Sequence, residues 1–141
     1  MPGGLLDISP YLPAHYLELS EVGATLGRGG GRGVRSVAAF DEDTTTMGVA
    51  AALGLDPEAR AAADAVWFAT TRPAYTDKTN ATALHAALGL APTVPAYDAG
   101  ASVHSAAGVL RAANATDGLA VLSDMWLGLP GSDDERTGGD A

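Results

Sequence analysis

Ser102, Val103 and His104 stand where this chain could most readily do chemistry. A short apolar run, Pro95 to Tyr97, meets Asp98 and Gly100, and a helical pattern opens at Ser102. Val103, Ala106, Ala107, Leu110 and Ala113 recur at spacings of three and four, which predicts one apolar helix face. A tight strand-to-helix turn would hold the first helical side chains at a fixed point. Backbone N–H groups unpaired in the first helical turn favour negative charge that develops beside them. A nucleophile fits such a place, and Ser102 and His104 are the residues offered. Successive residues at a helix start point about 100° apart, so a direct Ser102–His104 hydrogen bond is disfavoured. The plainer roles are capping for Ser102 and Ser105 and a partly buried helix-start position for His104. A second polar loop, Thr70-Thr71-Arg72-Pro73, follows a predicted strand, and α/β proteins place their chemistry at strand C-termini. Arg32 and Arg35 could touch a phosphate from the glycine-rich loop Gly27 to Gly33. That loop has no GxGxxG register and no Lys-Ser/Thr of a Walker pattern, so a connector is its plainer reading.

The elements that would position these residues follow from pattern. Leu5 to Ile8 reads as an opening strand, ended by Pro10 and Pro13. Glu18 to Leu26 reads as a helix stopped by Gly27. Asp41-Glu42-Asp43 precedes a helix over Thr45 to Leu55, with Met47, Ala50, Ala51 and Gly54 on one face; capping explains these carboxylates more simply than a metal site. Asp56-Pro57 opens a further turn of helix through Ala63. Ala65 to Thr70 is short, apolar and β-prone, and reads as a buried strand. Lys78-Thr79-Asn80 starts a helix with Leu84, Ala87 and Leu88 on one face. Asp117-Gly118 is a turn, and Leu119 to Leu122 is a last apolar strand, ending at Ser123-Asp124. The alternation predicts an α/β domain with a mainly parallel sheet and helices on both faces. Residues 1–126 form that domain in this reading, and 127–141 are an irregular Gly- and Asp-rich tail.

Composition narrows the function. The chain has 141 residues, 47% of them hydrophobic but only 6% aromatic, so its core is built from small side chains. With no cysteine, a disulfide framework, a zinc-thiolate site and a Cys nucleophile are all excluded. The net charge of −9 and a single lysine, Lys78, argue against a nucleic-acid surface. No secretory leader and no apolar run of membrane-spanning length are visible, which makes a cytoplasmic protein the expectation.

Several stretches together carry a family resemblance. They are Gly33-Val-Arg35-Ser-Val-Ala-Ala-Phe40-Asp-Glu-Asp43-Thr-Thr-Thr-Met47, Phe68-Ala-Thr-Thr71-Arg-Pro73-Ala-Tyr75, Lys78-Thr-Asn80-Ala and Leu127-Gly-Leu-Pro-Gly131 onward. In this order they resemble hydroxymethylglutaryl-CoA synthase-like proteins of the thiolase superfamily, over nearly the whole chain. The resemblance implies the N-terminal half of a thiolase-like fold and an acyl-CoA condensing or acyltransferase activity. It further implies a coenzyme A thioester as substrate, with Arg32 and Arg35 as candidates for the CoA phosphates, and no metal. The family's nucleophilic cysteine falls on Val103, flanked by Ser102 and His104, and its general acid/base glutamate falls on Thr71. Valine has no lone pair and threonine does not titrate, so the site is degenerate by the family's pattern. A homodimer, or a hetero-oligomer with a chain that completes the fold, is the expected assembly. The sequence resembles most the archaeal and actinobacterial branch of these proteins, whose members often work beside a small zinc-ribbon and OB-fold partner. A non-catalytic scaffold subunit and a truncated fragment are the competing expectations.

Overall fold

The computed structural model describes residues 4–27, 30–100, 102–128 and 132–133. Two sheets organise them. A small antiparallel hairpin joins β1 (His15–Glu18) to β2 (Val34–Val37), with His15 opposite Val37 and Glu18 opposite Val34. The main sheet is three-stranded and wholly parallel, in the order β4-β3-β5, formed by β3 (Val66–Thr70), β4 (Ala96–Gly100) and β5 (Leu119–Leu122). Val66 lies opposite Ala96 on one side and Leu119 on the other. Five helices accompany the strands: α1 (Leu19–Leu26), α2 (Thr44–Leu53), α3 (Pro57–Ala61), α4 (Asn80–Ala87) and α5 (Ser105–Ala115). The expected α/β class with a mainly parallel sheet holds, and among the described residues no helix is long and apolar enough to cross a membrane.

Strand alternation divides the core. Val66, Phe68, Leu119 and Val121 turn one way and pack with Ala52, Ala81 and Leu84 from α2 and α4. Gly48 lets α2 come close, since a Cβ there would stand 2.9 Å from Val121 Cγ1. α5 lies on the opposite face with Val109 and Ala113 buried. On that face Trp67 stacks on Tyr97 at 4.4 Å between ring centroids, and Trp67 Nε1 donates to Thr116 Oγ1 at 3.0 Å.

The helix signals read from sequence are used. Asp43 caps α2, accepting from Thr45 N at 2.9 Å and Thr46 N at 2.8 Å, while Thr46 Oγ1 accepts from Asp43 N in return. Asp56 caps α3 through Glu58 N and Ala59 N. Gly27 ends α1 at φ 66°, in the left-handed region that glycine enters without strain. Gly30 packs against α1 so closely that a Cβ would meet Leu19 O. Arg28 and Gly29 of that loop lie outside the described residues, as does most of the 127–141 tail.

Three expectations are corrected. Leu5 to Ile8 is extended but joins neither sheet, and Leu5, Leu6 and Ile8 are 76%, 90% and 76% exposed. Its polar contact is Asp7, whose carboxylate accepts from Ile8 N and from Asp56 N, each at 2.8 Å. The first strand is instead His15–Glu18, too polar and too exposed to announce itself by alternation. The buried faces of α2 and α5 are also rotated from those predicted. Thr44, Thr45, Met47, Gly48 and Ala52 are buried in α2 and Gly54 is exposed. In α5, Val109 and Ala113 are buried while Leu110 is 49% exposed, and Val103 falls in the turn before the helix, 75% exposed. In α2, alanine and glycine on every side leave the apolar period without a single maximum.

Phe68→Ala removes the largest buried side chain and should cost about 3–5 kcal/mol in urea unfolding, a large part of the stability of such a domain. The N-terminal arm should respond to pH. Hydrogen bonds from Asp56 N and then Ile8 N hold the Asp7 carboxyl below its ordinary value. The Tyr11 hydroxyl, and then Ala39 N, lower the Glu42 carboxyl, and the Glu42 contact raises the Tyr11 hydroxyl. Lowered carboxyl values stabilise the folded arm above the unfolded pKa and release it as pH falls through the folded one. The raised tyrosine acts oppositely, and its contribution is lost as pH rises through the folded value. Amide exchange at Ile8 and Asp56, corrected for intrinsic rates, should therefore lose protection in acid, and Tyr11→Phe should abolish the alkaline loosening.

Candidate functional site

The C-terminal ends of β3 and β5 and the start of α5 enclose a cavity of about 180 Å³. Thr71, Ser102, Val103, Ala106, Leu122 and Asp124 are among its walls. Strand alternation explains the grouping: Ala69 and Leu122 are paired in register and turn toward α5, and Thr71 and Asp124 continue the same two rows. The structure thus brings together Thr71, Ser102 and Val103, three of the residues singled out in the sequence. His104 does not line this cavity; it is exposed rather than partly buried. Arg32 is exposed before β2 and Arg35 lies on β2, and neither lines this cavity.

The turn into α5 differs from expectation in one chemical respect. Helical pairing begins at Ser105, and the N–H groups of His104, Ser105 and Ala106 have partners. His104 N donates to Ser102 Oγ at 3.2 Å, Ser105 N to Ser102 O at 2.9 Å and Ala106 N to Val103 O at 3.3 Å. His104 is the N-cap and no side chain caps the helix, so the capping expected of Ser102 is not made; Ser102 instead closes the turn before α5 through its hydroxyl and its carbonyl. Its Oγ is engaged as an acceptor, and its own O–H has no acceptor among the described residues.

The carboxylate of this cavity comes from β5. Asp124 Oδ1 accepts from Thr71 Oγ1 at 2.7 Å, Thr71 N at 2.9 Å and Thr70 Oγ1 at 3.3 Å. Arg72, in the same loop, lies over the Trp126 ring at 4.3 Å and ties the two strand ends together. The Ser123 hydroxyl is buried with no partner among the described residues. Sequence reasoning placed Ser123-Asp124 at a strand end but gave Asp124 no role. The available signal was its place one alternation beyond Leu122 on the cavity side.

A second cavity, of about 280 Å³, opens by α4 and includes Thr70, Tyr75, Lys78, Asn80 and Asp98. Asp98 reaches from β4 to the first turn of α4. Its Oδ2 accepts from Asn80 N at 2.7 Å and Asn80 Nδ2 at 3.1 Å, and its Oδ1 from Ala81 N at 2.6 Å. Asn80 is buried, and its Oδ1 accepts from Tyr75 N at 2.9 Å and Thr45 Oγ1 at 3.3 Å. Lys78 Nζ sits 3.7 Å from the centre of the Tyr75 ring. Among the described residues no cluster of His, Asp and Glu could hold a metal ion.

No protein-family model matches the chain, and no curated protein sequence matches it. Solved structures do match. A hydroxymethylglutaryl-CoA synthase complexed with CoA aligns at a TM-score of 0.87 and 21% identity, over 99% of this chain and 40% of that one. A 3-oxoacyl-(acyl-carrier-protein) synthase III aligns at 0.78 and 21% identity, over 99% of this chain and 48% of that one. PksG, a hydroxymethylglutaryl-CoA synthase from Bacillus subtilis, aligns at 0.80 and 17% identity, over 99% and 38%. The chain has a thiolase-like fold. It spans less than half the length of these synthases, and at such identities the likeness defines the fold.

Asp98→Ala would leave three donors at the head of α4 unpaired. A charged hydrogen-bond acceptor contributes about 1.5–3 kcal/mol, so the variant should lose at least about 2 kcal/mol in denaturant unfolding.

Proposed function

We propose that this chain is an acyl-thioester-handling subunit of the condensing or acyltransferase type, similar in role to hydroxymethylglutaryl-CoA synthase. It takes the acyl end of a coenzyme A thioester at the cavity between β3, β5 and α5, and it acts with a second chain in the cytoplasm. The observation that carries this reading is the convergence of Thr71 and Val103 on one cavity. These are the positions to which the resemblance assigns the acid/base and the nucleophile. The hydroxymethylglutaryl-CoA synthase of like fold holds CoA, which supports the choice of ligand. At about 180 Å³ the cavity suits a short acyl group and not a whole coenzyme, whose remainder would lie outside it.

A partner is supported by uncovered apolar surface. Ala107 and Leu110 are exposed on α5, and Val103 is exposed in the turn before it. β4 is an edge strand with Tyr97 44% exposed. A second copy meeting this chain along Pro95 to Asp98 is the assembly we favour, and a zinc-ribbon and OB-fold chain is the other candidate. Val103 itself favours a second functional reading, a binding or scaffold subunit without turnover, because its side chain can neither attack nor titrate.

Light scattering with intact mass measurement of the native assembly, followed by calorimetric titration with acetyl-CoA, tests the proposal. A fixed-stoichiometry assembly that binds acetyl-CoA is expected. A lone monomer with no affinity for the thioester would overturn it, and binding without turnover of any acyl-CoA would select the scaffold reading.

A further inference from the structure

The cavity contains an acceptor and a donor that the described residues do not use. Asp124 Oδ1 is fixed by the three donors of Thr70 and Thr71, while Oδ2 takes no hydrogen bond from the described residues. In the same cavity, the Ser102 hydroxyl accepts from His104 N, and its own O–H has no acceptor among the described residues. Asp124 Oδ1 is held by Thr71 N and two threonine hydroxyls, and Ser102 Oγ by His104 N, so both side chains have partners in the protein before any ligand arrives. A fixed carboxylate oxygen and a fixed hydroxyl donor on one small cavity are what enolisation of a carbonyl compound requires.

We infer that Asp124 is the proton acceptor of this site and that Ser102 donates to the enolate oxygen of a bound acyl thioester. The inference rests on the acyl-thioester reading above and deepens it. The C–H bond next to the thioester carbonyl breaks, and its proton passes to Asp124 Oδ2. The electron pair of that bond forms the C–C double bond, and the carbonyl π pair moves onto oxygen, where the Ser102 O–H and the N-terminal end of α5 meet the charge. The proton then returns to carbon, or exchanges with solvent first. No oxidant, metal or second substrate enters this balance. Aspartate is basic enough for the task where the enolate oxygen is met by donors, as in ketosteroid isomerase. Threonine at position 71 thus has a use: it orients a carboxylate that arrives from the neighbouring strand, and is a positioning residue.

The test is exchange of the acetyl protons of acetyl-CoA into D2O, followed by proton NMR with the full chain, with binding read in the same tube by saturation transfer. The wild-type chain should accelerate exchange above buffer. Asp124→Asn and Ser102→Ala should each lower the rate by about 100-fold while acetyl-CoA still binds. Thr71→Val should lower it less, and Glu58→Gln, on exposed α3, should leave it unchanged. Undiminished exchange in Asp124→Asn overturns the assignment. Should that variant fail to fold, by circular dichroism, undiminished exchange in Ser102→Ala overturns it instead. Binding without exchange in the wild type overturns the proton role and leaves the thioester reading standing. Absence of binding removes both.

Discussion

The position of α4 depends on one carboxylate. Asp98 leaves β4 and takes the first two N–H groups of α4 together with the Asn80 side chain. Thr79, which precedes the helix, offers no side-chain cap, so this contact across the fold does the work a local cap would do. Asn80 passes the constraint on, because its amide holds both backbone groups of Tyr75 and reaches Thr45 at the head of α2. Strand, loop and two helices are thereby locked at the same end of the sheet. Every hydrogen-bonding position of a buried amide is occupied, which is the condition under which such a network stabilises rather than costs. The lock forms part of one cavity's wall directly, through Tyr75, Asn80 and Asp98.

The sheet was legible because its strands obey the simplest rule. β3 and β5 are short apolar runs bounded by turn residues, and burial on both faces requires that composition. The caps Asp43 and Asp56 and the stop at Gly27 were legible for the same reason, being local signals with local partners. What failed was orientation and pairing. With alanine and glycine on every side, α2 carries no unique apolar stripe, so the choice of face fell to the tertiary fit, with Gly48 under Val121 as the deciding contact. The hairpin of β1 and β2 escaped notice because its strands are exposed and joined across a helix and a loop. Leu5 to Ile8 had the composition of a strand but no neighbour with which to pair.

The candidate site was half legible. Counting along one apolar strand and one helix start gave Thr71, Ser102 and Val103, and these do meet. Asp124 was out of reach because its meaning lies in a partner residue far away in sequence: a carboxylate is ordinary until Thr71 is known to sit beside it. His104 fell the other way. It is the most chemically suggestive residue of the turn, yet a one-residue step around a helix start is enough to send a side chain outward.

The parallel arrangement has a temporal side. β3 is the central strand, and one of its two neighbours, β5, returns only after α4, β4 and α5 have been laid down. Closure of so long a loop precedes any reward from the contacts it makes, which places this chain among slower-forming topologies. Until β5 docks, one whole edge of an uncharged apolar strand, Val66 to Thr70, stands open to any other chain with a free edge. The net charge of −9 sets a repulsive distance between such intermediates and so guards the period before the sheet is finished.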